Sequence, residues 1–254
     1  MKKIALVTGA TSGIGEATAH ILAANGFNLI ISGRREDRLT DLSEALLQEH
    51  GTQCYRLNLD VRDREAVKTA IDKLPEQWRA IDVLVNNAGL ASGLSPIESG
   101  DIDDWDRMID TNIKGLLYVT RNVTPLMIER GKGHIINIGS IAGKEIYPNG
   151  NVYCATKHAV DALNKSMRLD LAHYPIKVSA VNPGAVETEF SLVRFHGDEA
   201  KAKMVYEGFE NLVAADIADA IWYILSRPQH VNINDLTIMP TAQPMAKVIH
   251  RKSN

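Results

Sequence analysis

Cysteine is scarce in this chain, and its scarcity excludes two kinds of site. Cys54 and Cys154 are the only cysteines, they lie far apart, and they form no CxxC pair, so we expect neither a structural disulfide nor a zinc site. The eight histidines show no HExxH or similar spacing, and we expect no metal. Long apolar runs are also missing. None approaches the roughly 20 residues that span a bilayer, so no membrane partner is expected.

An excess of either charge is absent as well. The chain has 28 basic and 31 acidic residues, interspersed, with a formal net charge of −3, which gives no reason to expect a nucleic-acid partner. Its start, Met1-Lys2-Lys3 and then four apolar residues, lacks the longer apolar region and cleavage site of a secretion signal, which indicates a cytoplasmic protein. No Pro/Ser/Gly-rich linker interrupts the sequence, so we expect residues 1–254 to form a single domain.

Short β-branched runs alternate with longer amphipathic stretches, which is typical of βαβ units around a parallel sheet. The predicted strands are 4–7, 28–32, 54–59, 81–85, 134–138, 177–181 and 236–239. The predicted helices are 13–24, 37–50, 64–73, 105–130, 151–172 and 215–226. The pattern therefore predicts an α/β fold: one doubly wound, Rossmann-type domain with about seven parallel strands and helices on both faces.

Ligands of such sheets bind beyond the carboxyl ends of the strands, and unusual residues follow several predicted strands here. They are Thr8-Gly9, Asp60, Asn86 to Gly89, Ser140 and Asn182 to Gly184. The first of these groups opens a glycine loop, Thr8-Gly9-Ala10-Thr11-Ser12-Gly13-Ile14-Gly15, that leads into the first predicted helix. Glycines let the backbone approach a pyrophosphate, and the helix N-terminus offers unpaired N–H groups. A purely structural turn is the alternative, but the position in the first βα unit favours dinucleotide binding.

The residues after the second strand indicate which dinucleotide binds. A carboxylate there would accept hydrogen bonds from the 2′-hydroxyl of NAD, whereas this chain has Ser32-Gly33-Arg34-Arg35. A guanidinium group attracts a 2′-phosphate, so we predict NADP (NADPH), with Arg34 as the stronger candidate contact and Arg35 as the second. The alternative is a pair of solvated arginines at the start of a helix.

Tyr153 and Lys157 are four residues apart on a predicted helix and therefore share one face. A fixed positive charge near a phenol favours the phenolate, so we expect Lys157 to lower the pKa of Tyr153 from about 10 toward neutrality. Ser140 ends the preceding apolar run. A Tyr-xxx-Lys pair alone occurs by chance on many helices, so its meaning depends on the rest of the chain.

Taken together, these motifs resemble the short-chain dehydrogenase/reductase family along nearly the whole chain. The motifs are Thr-Gly-xxx-Gly-Ile-Gly, Asn86-Asn87-Ala88-Gly89, Asn112-Ile-Lys-Gly, Ser140, Tyr153-xxx-Lys157 and Pro183-Gly184. The resemblance implies that Tyr153 exchanges the proton, that Lys157 also holds the nicotinamide ribose, that Ser140 holds the substrate oxygen and that Asn112 anchors a water. Further cofactor contacts implied by the resemblance are Gly9, Thr11, Ser12, Gly13, Ile14, Gly15, Asp60, Val61, Asn87, Ala88, Gly89, Pro183, Gly184, Val186 and Thr188.

Residues 189–208 correspond to the segment that usually covers the substrate in this family. The run Thr-Glu-Phe-Ser-x-Val-Arg-Phe-x-Gly-Asp resembles the NADP-dependent 3-hydroxy acid dehydrogenase branch, which acts on serine, threonine and small 3-hydroxy acids and has relatives that reduce sulfoacetaldehyde. Arg194 in this lid is a candidate clamp for the anionic group of a small carbonyl or alcohol substrate. Tyr147 and Ser140 are the other candidate substrate contacts. An exposed surface arginine is the alternative for Arg194.

Two other functions stay open at this point. The chain could reduce a different carbonyl, such as a diketone or a sugar, with Arg194 in solvent, or it could be a non-catalytic NADP-sensing protein on the same fold. The family resemblance implies a homotetramer that uses the helices predicted at 105–130 and 151–172. The C-terminal tail from Met245 to Lys252 either packs on a neighbouring subunit or is frayed.

Overall fold

The computed structural model describes residues 2–252. Over this range the chain forms a seven-stranded parallel sheet with the strand order β3-β2-β1-β4-β5-β6-β9. Its strands are β1 (Ile4–Thr8), β2 (Asn28–Gly33), β3 (Cys54–Asn58), β4 (Ile81–Asn86), β5 (Gly133–Ile138), β6 (Ile176–Pro183) and β9 (Asp235–Ile238). The strand order reverses between β1 and β4, so a crevice opens at the carboxyl ends of these two strands. The predicted doubly wound α/β fold is confirmed.

Helices cover both faces of the sheet. They are α1 (Gly13–Ala24), α2 (Glu36–His50), α3 (Arg64–Asp72), α4 (Ile102–Ile109), α5 (Leu116–Arg130), α6 (Asn151–Asp170), α7 (Phe190–Arg194), α8 (Glu199–Tyr206) and α9 (Ala214–Leu225). Within residues 2–252, none of these helices combines the length and apolar character that crossing a bilayer requires. Cys54 and Cys154 are free thiols.

Alternation of side chains along the strands builds one apolar core on each face of the sheet. Leu6 of β1 belongs to the core formed with α3, α5 and α6, whereas its neighbour Val7 belongs to the core formed with α1, α2 and α9. Both side chains are buried, because a parallel sheet with helices on both sides leaves neither face in water. This double burial explains why the strands appear in the sequence as nearly continuous apolar runs.

The predicted helix 105–130 is wrong in two respects. It begins earlier, at Ile102, where Asp101 caps it by accepting a hydrogen bond from the N–H of Asp103. It is also interrupted by a π-helical turn, Asp110–Gly115, between α4 and α5. Such turns are rare and frequently mark functional sites. This one contains Asn112, whose motif the apolar periodicity did not distinguish from an ordinary helix.

The segment after β6 is more ordered than the sequence indicates. Two short strands, β7 (Val186–Glu187) and β8 (Leu212–Val213), pair in parallel at the two ends of this segment. Helices α7 and α8 lie between them in the sequence. The predicted lid 189–208 thus consists of two short helices on a small β-bridge. The C-terminal tail folds back onto this lid, where the N–H of Lys252 donates to the carbonyl of Gly208 at 2.7 Å.

Candidate active site

A cleft of about 790 Å³ lies at the carboxyl ends of the strands, under the lid. Nearly all of the predicted site residues line it, although they are dispersed along the sequence from Gly9 to Arg194. The lining residues among them are Gly9, Thr11, Ser12, Gly13, Ile14, Arg34, Arg35, Asp60, Val61, Asn87, Ala88, Gly89, Ser140, Tyr147, Tyr153, Lys157, Pro183, Gly184, Val186, Thr188 and Arg194. Gly15 and Asn112 lie behind this surface and act on it through neighbours.

The glycine loop has the backbone that its sequence requires. Gly9 and Gly13 have φ angles of +65° and +56°, in the left-handed region that favours glycine. Gly15 plays a different part. A Cβ there would lie 2.2 Å from the carbonyl oxygen of Gly9 and 2.5 Å from Nδ2 of Asn87, so the missing side chain lets α1 pack directly on the loop. Gly15 therefore shapes the cradle from behind.

Asn87 and Thr8 join the two central strand ends across the crevice. Nδ2 of Asn87 donates to the carbonyls of Thr8 at 2.9 Å and Gly9 at 3.1 Å. In return, the hydroxyl of Thr8 accepts from the backbone N–H groups of Asn87 and Ala88, both at 3.0 Å. These reciprocal bonds fix the loop relative to the end of β4, which is how a dinucleotide site is held rigid before a ligand arrives.

Two arginines, Arg34 and Arg35, line the far end of the cleft, and a third, Arg38, lies beside them. Nη2 of Arg35 donates to the hydroxyls of Thr11 at 3.0 Å and Ser12 at 2.9 Å, and Arg35 and Arg38 both pair with Glu189. Arg34 is exposed and lines the cleft. Arg38 is not among the residues predicted from the sequence. It lies in the first turn of α2, three residues after Arg35, the N-cap residue of this helix, and both side chains reach Glu189.

Arginines lower the pKa values of two carboxyl groups at this end of the cleft. Hydrogen bonds from Arg38 and Arg35 lower the pKa of the Glu189 carboxyl. Burial raises the pKa of Asp60, but the hydrogen bonds from Arg62, with a smaller contribution from the charge of Arg34, leave it lowered. Both carboxylates are therefore ionised at neutral pH. The donor set of glycine loop, helix N-terminus and clustered guanidinium groups fits a dinucleotide that bears an extra phosphate.

The catalytic candidates meet at the middle of the cleft. Ser140 follows β5, and its Oγ accepts a hydrogen bond from the N–H of Ala142 at 3.1 Å. Tyr153 and Lys157 lie on α6, both buried, with Nζ of Lys157 6.0 Å from the centroid of the Tyr153 ring. Nζ of Lys157 also donates to the carbonyl of Ile138 at 3.0 Å. Tyr153 and Lys157 share one face of α6, as expected, so the phenol and the ammonium lie on the same wall of the cleft.

The expected lowering of the Tyr153 pKa is wrong for this structure. Burial raises the pKa of Tyr153 above its ordinary value, the nearby Tyr147 phenol adds to the rise, and the Ser140 hydroxyl and the Arg194 charge offset it only in part. Burial also lowers the pKa of Lys157 to about 8. Desolvation decides both directions because it penalises the charged form of each group, and a helix-spacing argument contains no information about it.

Asn112 is held within the wall rather than exposed in the cleft. Its Oδ1 accepts from the N–H of Leu90 at 2.9 Å, and its Nδ2 donates to the carbonyl of Leu90 at 2.8 Å and to the hydroxyl of Thr156 at 3.0 Å. Both amide hydrogens are therefore used. The side chain connects the π-helical turn to the segment after β4 and to α6, three residues from Tyr153.

The substrate end of the cleft contains Arg194 and Tyr147. Nη1 of Arg194 donates to the hydroxyl of Tyr147 at 3.1 Å, and its Nε donates to the carbonyl of Gly93 at 3.2 Å. Its Cζ lies 5.6 Å from the centroid of the Tyr153 ring. Nη2 of Arg194 is buried and has no hydrogen-bond partner within residues 2–252. Arg194 is thus a half-buried residue that lines the cleft near Tyr153, not an exposed surface arginine, and one of its buried donors is unused.

The C-terminal tail supplies lining residues that the sequence argument did not find. Ala246, Lys247, Ile249 and Arg251 all line the cleft. The tail is fixed on its own chain, where the N–H of Ala246 donates to Oε2 of Glu145 at 2.7 Å.

Comparison with known proteins gives consistent results. A family model described as short chain dehydrogenase matches residues 3–198. The NADP-dependent 3-hydroxy acid dehydrogenase YdfG of Salmonella typhi is 49% identical over 98% of this chain and 99% of its own length. Sulfoacetaldehyde reductase 2 of Chromohalobacter salexigens is 48% identical over 96% of each chain. The closed form of serine dehydrogenase complexed with NADP+ superposes with a TM-score of 0.91, at 46% identity, over 98% of this chain and 100% of that one.

Proposed function

The chain belongs to the short-chain dehydrogenase family, and from this membership we propose that it is an NADP-dependent oxidoreductase that interconverts a small anionic alcohol and its carbonyl form. The alcohol is a 3-hydroxy acid such as serine or 3-hydroxypropionate. One observation supports the anionic substrate above all: Arg194 lies in the cleft beside Tyr153 with a buried, unpartnered Nη2. Leaving such a donor unpaired is costly, and an acid group of the substrate would satisfy it.

The cofactor follows from the arginines and from the relatives. Arg34 and Arg35 line the end of the cleft where the 2′-phosphate of NADP would lie, Arg38 lies behind them on Glu189, and the glycine loop would hold the pyrophosphate. One of the similar proteins is named NADP-dependent, and another was solved with NADP+. When bound, the nicotinamide supplies or accepts the hydride. Lys157 would hold the ribose hydroxyls, and its charge is retained below about pH 8, where its lowered pKa lies.

The chain's own part in the chemistry is to hold the substrate oxygen and to move one proton. Ser140 would donate a hydrogen bond to that oxygen, and Tyr153 would pass it the phenolic proton as negative charge develops during reduction. Because burial raises the pKa of Tyr153, the phenol is protonated at neutral pH and ready to act as an acid. Carbonyl reduction uses this protonated form as the acid, whereas oxidation of the alcohol needs the phenolate as the base.

The chemistry of the acid group leaves a second candidate substrate. A guanidinium group pairs with a sulfonate as well as with a carboxylate, and one of the similar proteins is named sulfoacetaldehyde reductase 2. Sulfoacetaldehyde, reduced to isethionate, is therefore the alternative to a semialdehyde of a 3-hydroxy acid. A non-catalytic NADP-sensing role is disfavoured by the convergence of Ser140, Tyr153 and Lys157 in one cleft.

A parallel assay of three carbonyl compounds tests this proposal. NADPH oxidation is measured with malonic semialdehyde, with sulfoacetaldehyde and with neutral butanedione. We expect one of the acids to give the highest kcat/KM. Arg194→Ala should raise KM for that acid at least about tenfold, equivalent to about 1.4 kcal/mol, and leave butanedione unaffected.

The control for this variant is Arg107→Ala, because Arg107 is a half-exposed arginine on α4 that does not line the cleft. Equal kcat/KM for acids and butanedione would contradict the anionic substrate. NADPH binding without oxidation in the presence of any of the carbonyls would contradict enzymatic activity.

A further inference from the structure

Lys247 is a second cation at the substrate end of the cleft, and it comes from a different part of the chain. Its Nζ lies 5.3 Å from the centroid of the Tyr147 ring, and Cζ of Arg194 lies 5.7 Å from the same centroid. One cation belongs to the lid helix α7 and the other to the C-terminal tail. The ring of Tyr147 thus has a positive charge from each of these two segments near it.

No carboxylate among the described residues neutralises either cation. Within residues 2–252, neither Arg194 nor Lys247 makes an ion pair with a carboxylate. Lys144, in contrast, pairs with both Asp161 and Asp235. Burial lowers the pKa of Lys247, and the positive charges of Arg194 and Arg251 lower it further. The substrate end of the cleft therefore has a concentrated positive charge that an anion would relieve.

We propose that Lys247 is a specificity-determining residue that binds the acid group of the substrate together with Arg194. The proposal rests on the function proposed above and extends it by one named contact. Two separate cations suit an acid whose oxygens accept from both at once, and both carboxylates and sulfonates qualify. A neutral carbonyl compound gains nothing from either cation. The acid group would also connect the tail to the lid, because Lys247 belongs to the tail and Arg194 belongs to the lid.

The exposure of Lys247 limits how much its replacement can change the affinity for the substrate. Lys247 is exposed as a whole residue, so water screens its charge more than that of the half-buried Arg194. Replacing it should therefore change substrate affinity by several-fold rather than by orders of magnitude. The conservative change Lys247→Arg keeps the charge and should keep most of the affinity, whereas a merely structural role for the lysine stem would be preserved by methionine instead.

The test compares Lys247→Met, Lys247→Arg and wild type in steady-state assays with NADPH. The substrates are malonic semialdehyde, sulfoacetaldehyde and uncharged propanal. Lys203→Met is the matched control, because Lys203 is an exposed lysine of α8 that does not line the cleft. We expect Lys247→Met to raise KM for the acid substrate about threefold to tenfold, with kcat, the propanal KM and the NADPH KM unchanged. Lys247→Arg should restore the wild-type value.

Three results would overturn the role of Lys247: an unchanged KM for the acid, an equal rise for propanal, or a rise in the NADPH KM instead. Melting temperatures of all variants show whether they are folded. Failure of this inference can be separated from failure of the proposed function. If wild type prefers acids and Arg194→Ala removes the preference while Lys247→Met does not, only the role of Lys247 is refuted. If wild type shows no preference for acids, the proposed function fails first.

Discussion

Glu189 and Arg38 form an ion pair, with 2.8 Å between Oε1 of the carboxylate and Nη1 of the guanidinium. The second oxygen of Glu189 lies 3.0 Å from Nη1 of Arg35. Glu189 directly precedes the lid helix α7, whereas both arginines belong to the start of α2. The pair therefore connects the lid to the end of the cleft that we assign to the 2′-phosphate, and it places a carboxylate among the arginines that would hold that phosphate.

Glu189→Gln should strengthen NADPH binding. The carboxylate competes with the 2′-phosphate for Arg35 and Arg38 and repels it, so its neutralisation should lower the Kd for NADPH several-fold. NADH lacks this phosphate, and its Kd should change little. Fluorescence titration with both nucleotides measures the two constants. Glu187→Gln, an exposed glutamate two residues earlier, is the control. Weaker NADPH binding in Glu189→Gln would show instead that the carboxylate serves to orient the arginines.

Arg34→Asp should shift the nucleotide preference toward NADH. The exposed Arg34 lines the cleft, and an aspartate in its place would repel the 2′-phosphate and accept a hydrogen bond from a 2′-hydroxyl. We expect the ratio of kcat/KM for NADPH to that for NADH to fall at least about tenfold, or about 1.4 kcal/mol. Arg64→Asp makes the same charge change on an exposed arginine outside the cleft. An unchanged ratio in Arg34→Asp would remove Arg34 from the phosphate site.

Gly15→Ala should impair nucleotide binding although Gly15 does not line the cleft. Its new Cβ would lie 2.2 Å from the carbonyl oxygen of Gly9, which forces α1 away from the glycine loop and costs on the order of 1–3 kcal/mol. Both the melting temperature and the affinity for NADPH should fall. Gly26→Ala separates the loss of stability from the loss of affinity. Its new Cβ would meet nothing within 4 Å, but a φ of +82° is strained for alanine. That variant should lose stability and keep its affinity; a Gly15→Ala protein with wild-type affinity would contradict the account of the cradle.

His134 should make the protein less stable in acid. This histidine of β5 is buried, and burial, together with the charge of Lys177, lowers its pKa from 6.5 to about 3. The unfolded chain therefore binds a proton that the folded chain does not, and stability is lost as pH falls from about 6.5 toward 3. At pH 5 the loss amounts to about 2 kcal/mol.

The test is the pH dependence of unfolding by urea. In His134→Gln, the decrease in the free energy of unfolding between pH 8 and pH 5 should be smaller than in wild type by about that amount. His173→Gln changes an exposed histidine and should retain the wild-type dependence. Identical dependences in wild type and His134→Gln would contradict the assignment of His134 as a neutral buried group.

The fold could be predicted from the sequence because its determinants are local. Parallel strands buried on both faces, such as Ile4–Thr8, produce unbroken apolar runs, and helices such as α1 begin after recognisable loops. The π-helical turn at Asp110–Gly115 could not be predicted, because its extra residue shifts the phase of the apolar pattern only once, within a single turn, and such a shift is not distinguishable from the irregularity of an ordinary helix. The short sheet of β7 and β8 was missed for a related reason: two-residue strands have no periodicity.

The site residues could be predicted from motifs only where the motif is contiguous. The glycine loop and the Tyr153-xxx-Lys157 pair are of this kind. Arg38 and Lys247 were not found, because the contact of Arg38 with Glu189 and the place of Lys247 in the cleft depend on how α2 and the tail approach the lid. The shift of the Tyr153 pKa was predicted in the wrong direction for a physical reason. The i, i+4 spacing shows that the charge of Lys157 is near, which would lower the pKa, but the burial that raises it depends on the tertiary fold.

Tyr153→Phe tests the central claim most directly, because it removes the one hydroxyl that we assign to proton transfer and keeps the ring that packs 5.8 Å from Phe190. Turnover of the acid substrate and binding of NADPH are measured on the same preparation. The account predicts that NADPH oxidation falls by at least about a hundredfold, as expected for loss of a general acid, while the Kd for NADPH stays near the wild-type value. Turnover within a few-fold of wild type, with NADPH still bound, would contradict it.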